Sequence, residues 1–313
     1  MNTAPQALAA KQAGSDAAGV SLTVDSRCAL GECVLWDDRR AALFWTDITA
    51  CRLWMHRPAD RFTHTWEMPS PLGCFGLCDD GRLLLGLAKG LHLFELDESF
   101  HALPLHDVVG VETQLAHTRI NDGRCDRDGR FVFGTKSEGP AASPRGSFYQ
   151  FSFEHGLRRL ALPEASIPNS ICFARDGRTM YFCDSVEPAI FCCDYESGAA
   201  TVANIRQFAA IDRPGSADGS CIDALGGLWN AQWGARRVVR YRPDGVVDRR
   251  VALPVANPSC CTFGGPDFDR IYVSSAREDM SVDELAAMPL AGGIFEFAVS
   301  AGAGLPESRI AVR

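Results

Sequence analysis

Asp176-Gly177-Arg178-Thr179-Met180-Tyr181-Phe182-Cys183 is a tight turn that runs straight into a strand. Glycine supplies the turn's backbone freedom, and the β-branched and aromatic residues after it suit a pleated, buried surface. The signal recurs at Asp37-Asp38-Arg39, Asp79-Asp80-Gly81-Arg82, Asp128-Gly129-Arg130, Leu225-Gly226-Gly227 and Pro266-Asp267-Phe268-Asp269-Arg270. Successive turns lie a little over forty to just under fifty residues apart. Each is followed at once by a strand-like run: Ala42 to Thr46, Leu83 to Leu87, Phe131 to Thr135, Thr179 to Cys183, Leu228 to Gln232 and Ile271 to Ser275. A second run follows in every repeat, at Cys51 to Met55, Leu91 to Leu96, Ser147 to Phe151, Ala189 to Cys193, Val238 to Tyr241 and Gly293 to Phe297. One short helix competes, Ser281 to Met288, with Ser281 and Glu284 spaced as a capping box. Six repeats of this size predict an all-β fold, a six-bladed β-propeller with four-stranded antiparallel blades. A pair of β-sandwiches would give no reason for one turn to recur six times in constant register. The propeller is expected over residues 21–313 as a single domain, after a flexible N-terminal tail over residues 1–20.

Composition narrows the function classes. The 313 residues are 46% hydrophobic and 22% charged, a globular balance, and carry a net charge of −8. An acidic chain without basic runs makes a poor general binder of nucleic acid or anionic membranes, and neither partner is expected. No apolar stretch approaches the roughly 20 residues of a spanning helix. The thirteen cysteines are odd in number, include the adjacent pairs Cys192-Cys193 and Cys260-Cys261, and form no CxxC. They read as small buried hydrophobes in a reducing compartment, which places the chain in the cytoplasm. The stretch Met1 to Val20 has no apolar core of a signal peptide. A monomer or weak homo-oligomer is expected.

The register also locates chemistry. Seven residues before each turn stand Glu32, Gly73, Asn121, Asn169, Asp218 and Ser259. Four of these six are carboxylates or carboxamides, residue types depleted in strands. In equivalent blades they share one radius and one depth. If the strand before the turn is the innermost, they converge on the central channel. Converging oxygen donors without His or Cys describe a site for one divalent ion: calcium, magnesium or manganese, with zinc or ferrous iron also compatible. Glu32, Asn169 and Asp218 are the expected ligands. Asn121 stands two residues from Arg119, and because arginine rarely ligates metals, that pair reads as a substrate clamp beside the ion. Taken alone, Asp122-Gly123 reads as a turn.

These segments resemble the senescence-marker-protein/gluconolactonase/luciferin-regenerating (regucalcin-like) family. The carriers are Leu30-Gly31-Glu32, Arg119-Ile120-Asn121-Asp122-Gly123, Phe133-Gly134-Thr135, Ile167-Pro168-Asn169-Ser170 and Ala217-Asp218-Gly219. Leu228-Trp229, Trp233-Gly234, Phe263-Gly264-Gly265-Pro266-Asp267 and Gly292-Gly293-Ile294-Phe295 are most similar to its bacterial aldono- and pentonolactonase branch. The resemblance implies a six-bladed propeller, a metal triad at Glu32, Asn169 and Asp218, and substrate contacts at Arg119 and Asn121. Two positions depart from the pattern. Ser170 stands where the family usually has glycine, and Gly139 stands where some members carry a substrate-contacting glutamate, one position after Glu138.

The expected reaction is metal-dependent hydrolysis of a sugar lactone to the sugar acid, with the carbonyl polarised by the ion and Asp218 assisting attack by water. No G-x-S-x-G elbow points to an acyl-enzyme. Two alternatives use the same residues: another lactone or organophosphate hydrolase on this scaffold, or a non-catalytic calcium-binding propeller.

Overall fold

The computed structural model describes residues 19–97, 99–139 and 146–313, and the expected N-terminal tail lies almost wholly outside them. After β1 (Ser21–Val24) the chain forms a first antiparallel sheet from β2 (Gly31–Asp37), β3 (Ala42–Asp47), β4 (Arg52–Arg57) and β5 (Phe62–Glu67). The second blade is β6 (Leu72–Leu77), β7 (Leu83–Leu87), β8 (Gly90–Phe94) and β9 (His106–Gly110). The third is β10 (Thr118–Cys125), β11 (Phe131–Ser137), β12 (Phe148–Ser152) and β13 (Gly156–Arg159). The fourth is β14 (Pro168–Phe173), β15 (Thr179–Asp184), β16 (Ala189–Glu196) and β17 (Thr201–Ala210). The fifth is β18 (Ser216–Ile222), β19 (Leu228–Trp233), β20 (Arg237–Tyr241) and β21 (Val247–Ala252). The sixth is β22 (Asn257–Gly264), β23 (Arg270–Ala276), β24 (Ile294–Ala298) and, returning from the start of the chain, β1. The architecture is a six-bladed β-propeller. Every strand-like run in the sequence falls on the second or third strand of its blade. The short helix α1 (Val282–Ala287) carries its capping box, with Glu284 N donating to Ser281 Oγ at 3.3 Å and Ser281 N to the Glu284 carboxylate at 2.8 Å.

The first strands β2, β6, β10, β14, β18 and β22 touch one another around the ring and line the channel. Between blades, aromatic pairs join a core that is otherwise largely aliphatic. Phe44 meets Phe75, Phe148 meets Phe182, Phe208 meets Tyr241 and Trp229 meets Phe263, with ring centroids 5.5–6.4 Å apart. Trp36 stacks on Tyr272 at 6.0 Å where the last blade meets the first. Edge-on and offset pairs of this kind add about 0.5–1.5 kcal/mol each beyond area burial.

Two devices close the ring. β1 pairs with β24, so the sixth blade is built from both ends of the chain. The segment after β24 then crosses the lower end of the channel. Ile310 N donates to Leu77 O at 2.7 Å and Ala311 N to Gly129 O at 3.0 Å, while Glu307 pairs with buried Arg124 at 3.0 Å. Leu305 to Glu307 line one small cavity with Cys125, Phe173, Ile222 and Phe263, at the ends of the inner strands. The register residues lie toward the beginnings of those strands, so the open mouth is on their side.

Candidate functional site

Each inner strand carries a bulge at the register position or directly after it. The pairing slips between Glu32 and Leu35, Leu72 and Cys74, Ile120 and Gly123, Asn169 and Cys172, Ala217 and Ser220, and Pro258 and Cys261. A bulge inserts an unpaired residue, bends the strand and re-aims its side chains. Repeated six times, it turns one side chain per blade toward the axis. In the second blade that residue is Gly73, where an added Cβ would lie 2.2 Å from the Ile120 carbonyl oxygen, so the next blade's backbone leaves no room for more. In the sixth, Ser259 turns its hydroxyl to Gly31 O and Ser274 Oγ and acts as an inter-blade tie. The remaining four positions carry the polar set.

Glu32, Asn121, Asn169 and Asp218 line one cavity of about 430 Å³ at the mouth of the channel, all four buried. Asn121 Nδ2 donates to Asn169 Oδ1 at 3.1 Å and to Pro168 O at 3.0 Å. Asn169 Nδ2 donates to Ser185 Oγ at 2.9 Å, and Ser185 Oγ donates to Ala217 O at 2.6 Å. The Asn169 amide is thereby held with its oxygen toward the channel. Arg119 Nη1 donates to Asn121 Oδ1 at 2.9 Å, and its Nε donates to Glu138 Oε1 at 2.7 Å. Glu138 therefore joins the site through Arg119.

The carboxyl groups of Glu32 and Asp218 lie against each other. Burial raises both above the usual carboxylate range; Asp122 adds to this for Glu32, and Glu32 adds to it for Asp218. Among the described residues, Asp218 Oδ1 is buried without a hydrogen-bond partner. Two buried like charges and an orphaned acceptor are costly unless a cation joins them. An oxygen-only set of two carboxylates and one fixed amide oxygen fits a divalent ion.

Other participants escape sequence reasoning. Asp122 is no turn residue: it lies in β10, where its carboxylate accepts from Gly123 N at 2.8 Å and Ile171 N at 3.0 Å, satisfying donors freed by the bulges of two neighbouring blades. Lys136, Arg213, Trp233 and Glu278 reach the cavity from second strands and loops. Only the inner strands carry the register, so it cannot point to these residues.

The family description SMP-30/Gluconolactonase/LRE-like region matches residues 30–277. The chain belongs to this family. An L-arabinolactonase of Azospirillum brasilense is 50% identical over 93% of this chain and 95% of its own length. A 6-deoxy-6-sulfogluconolactonase of Pseudomonas putida is 34% identical over 85% of the chain and 90% of its own. Among solved structures, a calcium-binding protein, regucalcin, of Agrobacterium tumefaciens superposes with a TM-score of 0.85 at 29% identity, covering 95% of this chain and 97% of that one.

Ser170, directly after Asn169, has a φ of 61° in the left-handed region that glycine adopts most readily. A side chain there costs about 1–2 kcal/mol. The Ser170 hydroxyl recovers part of that by bonding Ser220 Oγ at 2.6 Å on the next blade. Cys33, after Glu32, has a φ of 44° in the same bulge geometry.

Proposed function

We propose that the chain hydrolyses a sugar lactone of the aldono- or pentonolactone class, with one divalent ion held by Glu32, Asn169 and Asp218. The carrying observation is the buried Glu32–Asp218 pair with its orphaned oxygen, set beside Asn121 in a cavity open to small molecules. The volume of about 430 Å³ falls in the range of small-molecule sites. The names of the two lactonases support the substrate class, and the first supports a five-carbon lactone.

When bound, the ion supplies Lewis acidity toward the lactone carbonyl and a more acidic water. Asp218 has two oxygens for two tasks, one toward the ion and one accepting the proton of the attacking water. Asn169 is neutral and leaves the ion's charge uncancelled. Asn121 offers the ring hydroxyls its side-chain oxygen, since its amide hydrogens go to Pro168 O and Asn169 Oδ1, and Arg119 braces that oxygen from behind the cavity lining. The buried thiols support a reducing, cytoplasmic setting.

The test is hydrolysis of gluconolactone, xylonolactone, arabinonolactone and galactonolactone, followed by pH indicator. The protein is first stripped with chelator, then reloaded with calcium, magnesium, manganese, zinc or ferrous ion. Activity that disappears on stripping and returns with one of these ions is the expected result. Full activity in verified metal-free protein would remove the ion from the mechanism.

A further inference from the structure

Resting on the lactonase reading, we propose that Lys136 is a catalytic residue, the general acid that protonates the ring oxygen as the lactone opens. Lys136 stands on β11 directly opposite Arg119 on β10, and its side chain lines the same cavity as Glu32, Asn121, Asn169 and Asp218. Two cations facing each other across a strand pair are unfavourable for the sheet. Arg119 is already committed to Asn121, Glu138 and Ile120 O. Lys136 makes no hydrogen bond or ion pair among the described residues, although it is half-buried. A half-buried ammonium without a partner, aimed into a cavity, is placed for a group that arrives with the substrate. Desolvation and the nearby Arg119 both loosen its proton, while Glu138, Glu278 and Asp218 act in the other direction.

The chemistry calls for such a group. A water oxygen bonds to the lactone carbonyl carbon, and its proton passes to Asp218. The bond between that carbon and the ring oxygen then breaks, with the electron pair leaving on oxygen. An alkoxide is a poor leaving group, its conjugate acid being about as weak as water at roughly 16. The ammonium proton of Lys136 goes to that oxygen, giving the free hydroxyl of the sugar acid. The amine regains a proton through solvent as Asp218 releases the one it took. Arg213 also borders the cavity but does not deprotonate in proteins, and Ser185 already donates to Ala217 O. Lysine is left as the proton donor among these.

The test changes the leaving atom and keeps the sugar. An aldono-1,4-lactone is compared with its 4-thio analogue, whose thiolate, with a reference value near about 8.5, leaves without a proton. For Lys136→Met, kcat on the oxygen lactone should fall about 10²-fold or more, while kcat on the thiolactone falls by less than about 5-fold. Retained thiolactone turnover shows the variant folded and loaded. Lys136→Arg, which keeps the charge and cannot release the proton, should share the selective loss. Equal losses on both substrates, or rescue by arginine, would overturn the acid assignment. A wild-type protein inactive on both substrates after reloading would instead overturn the lactonase reading, and the acid with it.

Discussion

Asn121 donates its side-chain amide to the side-chain oxygen of Asn169 at 3.1 Å, tying the third blade to the fourth at the mouth of the channel. The bond joins the proposed substrate clamp to a proposed ion ligand, so the two functions are mechanically coupled. Groups that orient a ligand typically contribute about 10- to 100-fold to metal affinity. Asn121→Leu should therefore weaken ion retention by that amount, measured by chelator competition, as well as raise KM. An unchanged ion affinity would mean that Ser185 alone orients Asn169.

Asp218→Asn separates holding the ion from taking the proton. The amide keeps an oxygen for the ion and loses the base, so turnover should fall about 10²–10⁴-fold while ion binding persists. Removing one of two buried carboxylates also relieves Glu32, so the metal-free variant should melt no lower than metal-free wild type. Near-wild-type turnover would relocate water activation away from Asp218.

Arg119 bears on substrate choice. It stands behind the cavity lining and holds Asn121 Oδ1 at 2.9 Å, so it acts on the substrate through Asn121, and a site built to bond hydroxyls penalises a lactone that lacks them by about 1–3 kcal/mol for each unpaired group. Wild type should prefer an aldonolactone over γ-butyrolactone in kcat/KM by roughly 10-fold or more per lost contact. Arg119→Leu should shrink that ratio and leave ion affinity largely intact. Identical ratios in the two proteins would take Arg119 out of recognition.

The fold was legible because a tight turn and the strand behind it are local features, repeated six times at similar spacing. Glu32, Asn121, Asn169 and Asp218 were legible for the same reason, since all four sit on the register and one cavity gathers them. The bulges that aim them were not legible, because a bulge is a mismatch between two strands and neither strand records it alone. Asp122 was misread on that account. Lys136 was invisible for a different reason: it reaches the site from a second strand, opposite Arg119, at a position no repeat marks. The channel floor depends on contacts such as Arg309 to Asp37, 272 residues apart, which no window along the chain can reveal.

The thirteen cysteines are all free, and every one is buried except half-exposed Cys51. Burial raises thiols such as Cys74, Cys125 and Cys183 well above their ordinary values, which suppresses the reactive thiolate. A maleimide added to native protein should label Cys51 rapidly and the others on the timescale of unfolding. Rapid labelling of several thiols, or a disulfide found by mass spectrometry, would contradict both the packing and the proposed reducing compartment.

The strap that floors the channel is anchored by Arg309, which donates to Asp37 and to Asp38 at 2.6 Å each, on the first blade. Asp37 is fully buried and keeps a second partner, Arg40, at 2.6 Å. Burial alone would raise its carboxyl, but Arg309 and Arg40 outweigh that and hold it below the ordinary value. Arg309→Ala should therefore destabilise the fold by about 1–3 kcal/mol, less than the loss of an unsupported buried pair, because Arg40 remains. A depressed carboxyl contributes stability that is fully present above its unfolded value of about 3.9 and is lost as pH falls through the folded one. The gap between wild type and Arg309→Ala should then be constant from neutral pH down to about pH 5 and narrow below about pH 4. Urea unfolding at a series of pH values measures it. A gap that widens toward low pH would show that Arg309 acts through something other than the Asp37 carboxylate.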